Sequence, residues 1–157
     1  MRIWAVSETS GMTEARIYLD ANVFIYAIEG SPDVADALRQ LFDLFRRNRG
    51  AGVTSELTLA EVLPKATTIQ QRMYLDLIVW SRIFDLQPVS RDILIETADY
   101  RRTAQMPRLP DAIHVVTAIR AGSRVILSAD TRLKLPEGYA VWLPEPANVS
   151  RLVRELS

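Results

Sequence analysis

The chain has 157 residues, the length of one ordinary domain, with 48% hydrophobic and 24% charged residues, a balance that supplies a core and argues against disorder. It has no cysteine, which excludes disulfides and thiolate metal sites, and no apolar run approaches the roughly 18 residues of a membrane span, so no membrane association is expected. Formal net charge is zero, with 17 of the 19 basic residues arginine; a large positive field for coating nucleic acid is absent, while local docking on phosphate stays open.

Residues 1–15 show no sustained periodicity and no apolar core of a secretory signal; they read as a poorly ordered N-terminal extension, and the expected location is the cytoplasm. A single domain is expected over residues 16–157. Residues 16–20 (Arg-Ile-Tyr-Leu-Asp) read as a strand ending on an acid. Residues 21–29 follow as a helix stopped by Gly30, and Pro32 opens a second helix over 33–47, with Leu38, Leu41, Phe42 and Phe45 on one face. Gly50 and Gly52 break it. Residues 53–54 are a short strand, and Ser55 is placed to cap a helix over 56–63. The spacing predicts one helix over 67–84 with an apolar face of Ile69, Met73, Leu77, Trp80 and Phe84. Residues 86–89 are extended, Ser90 caps a helix over 92–104, and Pro110 stands at the start of a helix over 111–121 that Gly122 ends. Strands over 124–128 and 139–143 and a helix over 148–156 complete the chain. Strands alternating with helices imply a three-layer α/β/α sandwich around a central parallel sheet.

Four acids stand out by position. In parallel α/β folds, ligand sites collect at the carboxyl ends of strands. Asp20 closes the first strand, and Asp130 follows the strand over 124–128 by two residues. Asp111 sits in the first turn of a helix, where the helix N-terminus favours a carboxylate. Glu61 lies on a short helix three residues after Thr58, so the two can look toward one point. Taken singly, Asp111 reads equally well as a helix-start acid and Asp130 as a turn residue. Together they compose an oxygen-donor set for a hard divalent cation, Mg²⁺ or Mn²⁺.

These segments resemble the motifs of the PIN domain family. Tyr18-Leu-Asp-Ala-Asn-Val-Phe-Ile-Tyr26 is similar to its first motif, an acid and then Asn after a strand. Ser55-Glu-Leu-Thr-Leu-Ala-Glu61 resembles the second, Leu109-Pro-Asp-Ala-Ile-His114 the third, and Ser128-Ala-Asp130 the fourth. The motifs stand in family order across most of the chain, and the whole looks most like the toxin of VapBC-type toxin–antitoxin pairs. The resemblance implies that Asp20, Glu61, Asp111 and Asp130 bind metal and carry catalysis. It also implies that Asn22 and Ser128 orient those carboxylates by hydrogen bonds. Ser55 and Thr58 match motif positions, with a polar role at the site and helix capping both open. Some relatives carry a further acid after the fourth motif. Here the stretch is Thr131-Arg132-Leu133-Lys134, so one metal is expected and a second stays open. The resemblance further implies an RNA substrate, a VapB-like antitoxin partner and a homodimer.

Clustered carboxylates repel one another, and a divalent cation resolves that repulsion, lowers the pKa of a bound water and neutralises phosphate charge during in-line attack. Hydrolysis by this route leaves a 5′-phosphate and a 3′-hydroxyl. A metal-free ribonuclease usually needs two proton carriers near neutrality, and the chain has one histidine, His114. It is expected to be a packed, hydrogen-bonded residue rather than part of the site rim. Arg108, just before Asp111, is the candidate contact to RNA phosphate. Three other readings compete: an RNA-processing nuclease outside a toxin–antitoxin pair, a non-catalytic PIN-like module for binding nucleic acid or protein, and a haloacid-dehalogenase-type phosphatase. The last wants a second Asp two residues after the first, where this chain has Asn22. The non-catalytic module would be signalled by loss of an acid, and all four are present.

Overall fold

The computed structural model describes residues 15–106 and 108–157; the expected extension over 1–15 lies outside these but for Ala15. Five strands form one parallel sheet: β1 (Ile17–Leu19), β2 (Gly52–Ser55), β3 (Asp85–Gln87), β4 (Val125–Leu127) and β5 (Ala140–Trp142). Their spatial order is β3-β2-β1-β4-β5, every neighbouring pair parallel. The helices are α1 (Ala21–Glu29), α2 (Pro32–Arg47), α3 (Leu57–Val62), α4 (Thr68–Leu75), α5 (Arg91–Ala104), α6 (Leu109–Arg120) and α7 (Pro146–Leu156).

Alternation along the strands divides the helices between two faces. Ile17 and Leu19 of β1 and Val125 and Leu127 of β4 pack with Phe24 of α1, Leu38, Leu41 and Phe45 of α2, and Val149 and Leu152 of α7. Tyr18, Val53 and Ile126 point the other way, onto Ala118 of α6, and α6 packs on α5 through Ile93, Ile113 and Val116. The result is the expected three-layer α/β/α sandwich. Each fully buried large side chain in these layers contributes roughly 1.5–3 kcal/mol. At Gly52 the approach of α2 to the sheet is so close that a β-carbon would stand 2.6 Å from the Phe45 ring. Gly122 takes φ +73° after α6, the left-handed geometry that ends a helix at no steric cost.

One expectation about an element is overturned. The helix predicted over 67–84 ends as an α-helix at Leu75, continues as a π-helical turn over Asp76–Trp80, and stops before Arg82, whose φ is +57°. A π turn carries an extra residue and rotates the faces past it. The face that packs inward also differs from the expected one: before the π turn Tyr74 is buried while Ile69 and Met73 are 75% and 43% exposed, and within it Ile78 is buried while Trp80 is 68% exposed. Phe84 is buried, but beyond the helix, where its ring meets Phe24 and Phe42 edge-on. Ser55 also differs in detail: it ends β2, and its Oγ accepts from the amide of Leu57, one residue into α3. Among the described residues, no helix is long and apolar enough to cross a membrane.

Candidate metal centre

The strand order places the change of winding direction between β1 and β4. The chain builds outward from β1 to β2 and β3 on one side and through β4 to β5 on the other, leaving a crevice at the carboxyl ends of the two central strands. Asp20 stands there, directly after β1, and is buried. Its Oδ1 accepts from the amide of Ala21 at 2.7 Å and so caps α1, while its Oδ2 accepts from the Ser128 hydroxyl at 2.7 Å. The Asn22 amide lies 3.5 Å from the same Oδ2, and its oxygen accepts from the amide of Ala129 at 3.1 Å. Ser128 in turn accepts from the amide of Asp130 at 3.0 Å. Asn22 and Ser128 thus tie the end of β1 to the segment after β4.

Glu61, near the end of α3, reaches toward Asp20 from the exposed side. Between them lies His114, one turn along α6 from Asp111 and 1% exposed. Its Nε2 is 2.5 Å from Glu61 Oε1 and 3.4 Å from Asp20 Oδ1, and its Nδ1 is 2.6 Å from the hydroxyl of Tyr18. Ligand atoms of Asp20, Glu61 and His114 fall within 4.8 Å of one another. His114 is packed and hydrogen-bonded as expected, but it lies inside the site, which the sequence reading did not assign to it. Burial alone would push its pKa down; the hydrogen bond to Glu61 and the charges of Asp20, Glu61 and Asp111 outweigh that and raise it. Tyr18, fully buried on the same face of β1 as α6, is held well above the usual phenol range by burial, with Asp20 and Glu61 adding to the effect.

Asp111 and Asp130 stand apart from that cluster. Both line a cavity of about 350 Å³ with Arg108, Arg132 and Lys134. Arg108 Nε is 3.7 Å from Asp111. Arg132 takes Asp130 more fully: its backbone amide and its Nε each lie 3.0 Å from Oδ1. Partial burial raises Asp111, Arg108 opposes this, and Asp130 and Asp20 add to it. The hydrogen bond from Arg132 lowers Asp130.

Thr58, read from its spacing as able to look toward the same point as Glu61, turns elsewhere. Its hydroxyl pairs with that of Thr54 at 2.9 Å, and Thr54 donates to the Leu19 carbonyl at 2.8 Å. Helix α3 runs for only six residues, and its i and i+3 positions diverge enough for Thr58 to face β1 and β2 while Glu61 faces His114. The sequence reading passed over Tyr18, His114 and Arg132 as members of the site. A signal for two of them was present: Tyr18 alternates with Ile17 and Leu19, and His114 shares a helix face with Asp111.

A divalent cation fits the inner cluster. Asp20 and Glu61 supply hard oxygen donors close enough to share one ion, and Asp20 is already oriented by buried hydrogen bonds.

The family model of the PIN domain matches residues 17–138. Among solved structures, the chain is similar to a toxin–antitoxin complex from Klebsiella pneumoniae, with TM-score 0.60 and 22% identity, covering 82% of this chain and 97% of that one. It is also similar to VapBC2 from Rickettsia felis bound to a DNA fragment from their promoter, with TM-score 0.62 and 18% identity, covering 81% and 98%. No curated protein gives a significant match. At these identities the likeness to solved structures concerns the fold, and the family follows from the matched span: the chain belongs to the PIN domain family.

Proposed function

We propose that the protein is a divalent-metal-dependent endoribonuclease and the toxin of a VapBC-type toxin–antitoxin pair. The observation that carries the reading is the convergence of Asp20 and Glu61, from β1 and α3, on one point at the crevice of a PIN fold. Asp111 and Asp130 line a neighbouring cavity, near enough for the charge of Asp20 to act on Asp111. Mg²⁺ or Mn²⁺ bound there supplies an activated water and a counter-charge for the phosphate. The chain's own residues do the rest. Asp20, fixed by Ser128 and the Ala21 amide, and Glu61 hold the ion, and Asp111 and Asp130 complete its surroundings from the neighbouring cavity. Arg108 and Arg132 face the same cavity and meet the RNA phosphates, since guanidinium groups bind phosphate in a forked geometry. In-line hydrolysis would leave a 5′-phosphate and a 3′-hydroxyl.

The partner in this reading is a VapB-like antitoxin whose segment covers the acidic crevice and brings its own Arg or Lys to the carboxylates. The toxin–antitoxin complexes among the fold neighbours support it, and a homodimer and a cytoplasmic location go with it. The test is cleavage of RNA by wild type, Asp20→Asn and Asp111→Asn with Mg²⁺, Mn²⁺ or chelator. Cleavage by wild type with metal alone, lost in both variants, is the expected result. Full activity in chelator overturns the mechanism. A short neighbouring gene for a DNA-binding protein that co-purifies with the chain is expected, and its absence favours RNA processing over a toxin.

A further inference from the structure

Arginine pairs close two of the helices. Arg46 and Arg47 stand in the last turn of α2, and Arg101 and Arg102 in the last turn of α5. All four are exposed, and cations at a helix C-terminus stabilise the helix through its dipole. By local chemistry the two pairs are equivalent, but their places in the fold are not. Helix α2 leads into β2, so Arg46 and Arg47 lie toward the amino ends of the strands, away from the crevice. Helix α5 is closed by Gln105, whose φ of +54° turns the chain toward α6, the helix that carries Asp111.

That turn joins two depressions of the surface. Gln105 and Met106 line the cavity that holds Asp111 and Asp130, and the same two residues line a shallow trough with Ala98, Arg101 and Arg102 on the flank of α5. The cavity sets Arg108, Arg132 and Lys134 against its two acids, and the trough adds two more cations and no acid. In a chain of zero net charge, this is a local concentration of positive charge that borders the proposed metal centre. The two banks are tied together, because the Tyr100 hydroxyl of α5 donates to the carbonyl of Lys134. Arg102 pairs with Asp99 one turn back, but the two side chains are 76% and 65% exposed. Such pairs contribute little to stability and exchange readily with other anions.

The charge selects the occupant. A basic segment drawn to the acids would be repelled by Arg101 and Arg102. A polyanion is attracted along the whole path, and guanidinium groups match phosphate in a forked geometry. We propose that the flank of α5 continues the substrate path: the RNA strand runs from the outer acids over Gln105 and Met106 and lays its next phosphates on Arg101 and Arg102. The inference rests on RNA being the substrate, as the proposed function has it, and not on how the strand is cut.

The test is fluorescence anisotropy with a labelled single-stranded RNA of mixed sequence, on the full chain carrying Asp20→Asn so that the RNA stays intact. Arg101→Ala with Arg102→Ala should lower affinity about tenfold or more near 0.1 M salt. It should also reduce the slope of log affinity against log salt by about 1.4, two phosphates at roughly 0.7 each for a single strand. Arg46→Ala with Arg47→Ala removes the same charges from the same helical position and should leave affinity and slope unchanged. Each of Arg101→Ala and Arg102→Ala alone should give about half the change in slope, which decides the question even where the double variant fails to fold. Equal losses from the α2 and α5 pairs overturn the inference, since charge in general then accounts for both. Unchanged affinity in the α5 variants also overturns it and leaves that flank to a protein partner. In either case cleavage of RNA by the wild type with Mg²⁺ keeps the nuclease reading standing, whereas a wild type that neither binds nor cleaves RNA overturns both.

Discussion

The inner pair of acids, Asp20 and Glu61, and the outer pair, Asp111 and Asp130, stand in opposite surroundings. In the inner half, Asp20 is buried and receives bonds from a backbone amide and a serine hydroxyl, and Glu61 meets a buried imidazole. In the outer half, Asp111 and Asp130 face arginines whose side chains are 65% and 78% exposed. Fixed dipoles in a poorly solvated setting orient an anion and strengthen every interaction around it. An exposed guanidinium neutralises its partner but is screened and exchanges readily with other anions. Under the proposed function, the inner half would hold the cation and the outer half would offer its arginines to a phosphate.

Metal affinity should separate the halves most sharply. Asp20→Asn is expected to weaken Mg²⁺ binding by more than the roughly 100-fold that loss of an orienting partner costs, and Asp130→Asn by less than about tenfold. Equal losses by calorimetry would erase the distinction. A pH effect on stability comes next. His114 is raised above its ordinary 6.5, so the native state binds that proton more tightly than the unfolded chain. The stabilisation is full below about pH 6.5 and is lost as pH rises through the folded value. With chelator present, the melting temperature should fall over that window, and His114→Gln should flatten the decline. A flat wild-type profile would mean that the inner acids do not act on His114. Smaller still is the effect expected of the outer arginines. Arg108→Ala and Arg132→Ala should each reduce the salt dependence of RNA binding by about one phosphate contact in the Asp20→Asn background. Arg132→Ala should leave the melting temperature unchanged, because the pair it forms with Asp130 is exposed. A clear drop in stability there would mark the outer half as structural.

Much of this molecule is legible from local chemistry. Helix α1 spans Ala21–Glu29 as read, because Asp20 caps its start and Gly30 follows its end. Helix α2 starts at Pro32, whose fixed φ suits a first turn. The acids are likewise placed by short-range rules: Asp20 directly follows β1, Asp130 comes three residues after β4, Asp111 lies in the first turn of α6 and Glu61 on the short helix α3. The reading fails where a face has to be chosen without its partner. Over residues 67–84 the apolar residues fit a helical period, yet Tyr74, already before the π turn at Asp76–Trp80, goes inward in place of Ile69 and Met73, and Ile78 goes inward in place of Trp80. Thr58 and Glu61 share a short helix, and only the positions of β1, β2 and α6 around α3 send them to different neighbours.

The sequence by itself determined the alternation of strands and helices, the parallel three-layer architecture and the four acids proposed for the site. These depend on periodicity, capping and turn chemistry, which act over a few residues. The tertiary structure alone decided how the four divide. The order β3-β2-β1-β4-β5 brings Asp20 beside Ser128, 108 positions away, and sets His114 between Asp20 and Glu61. Whether an acid is buried against neutral donors or left facing an arginine is a matter of which elements surround it, and that is fixed only when the sheet is assembled.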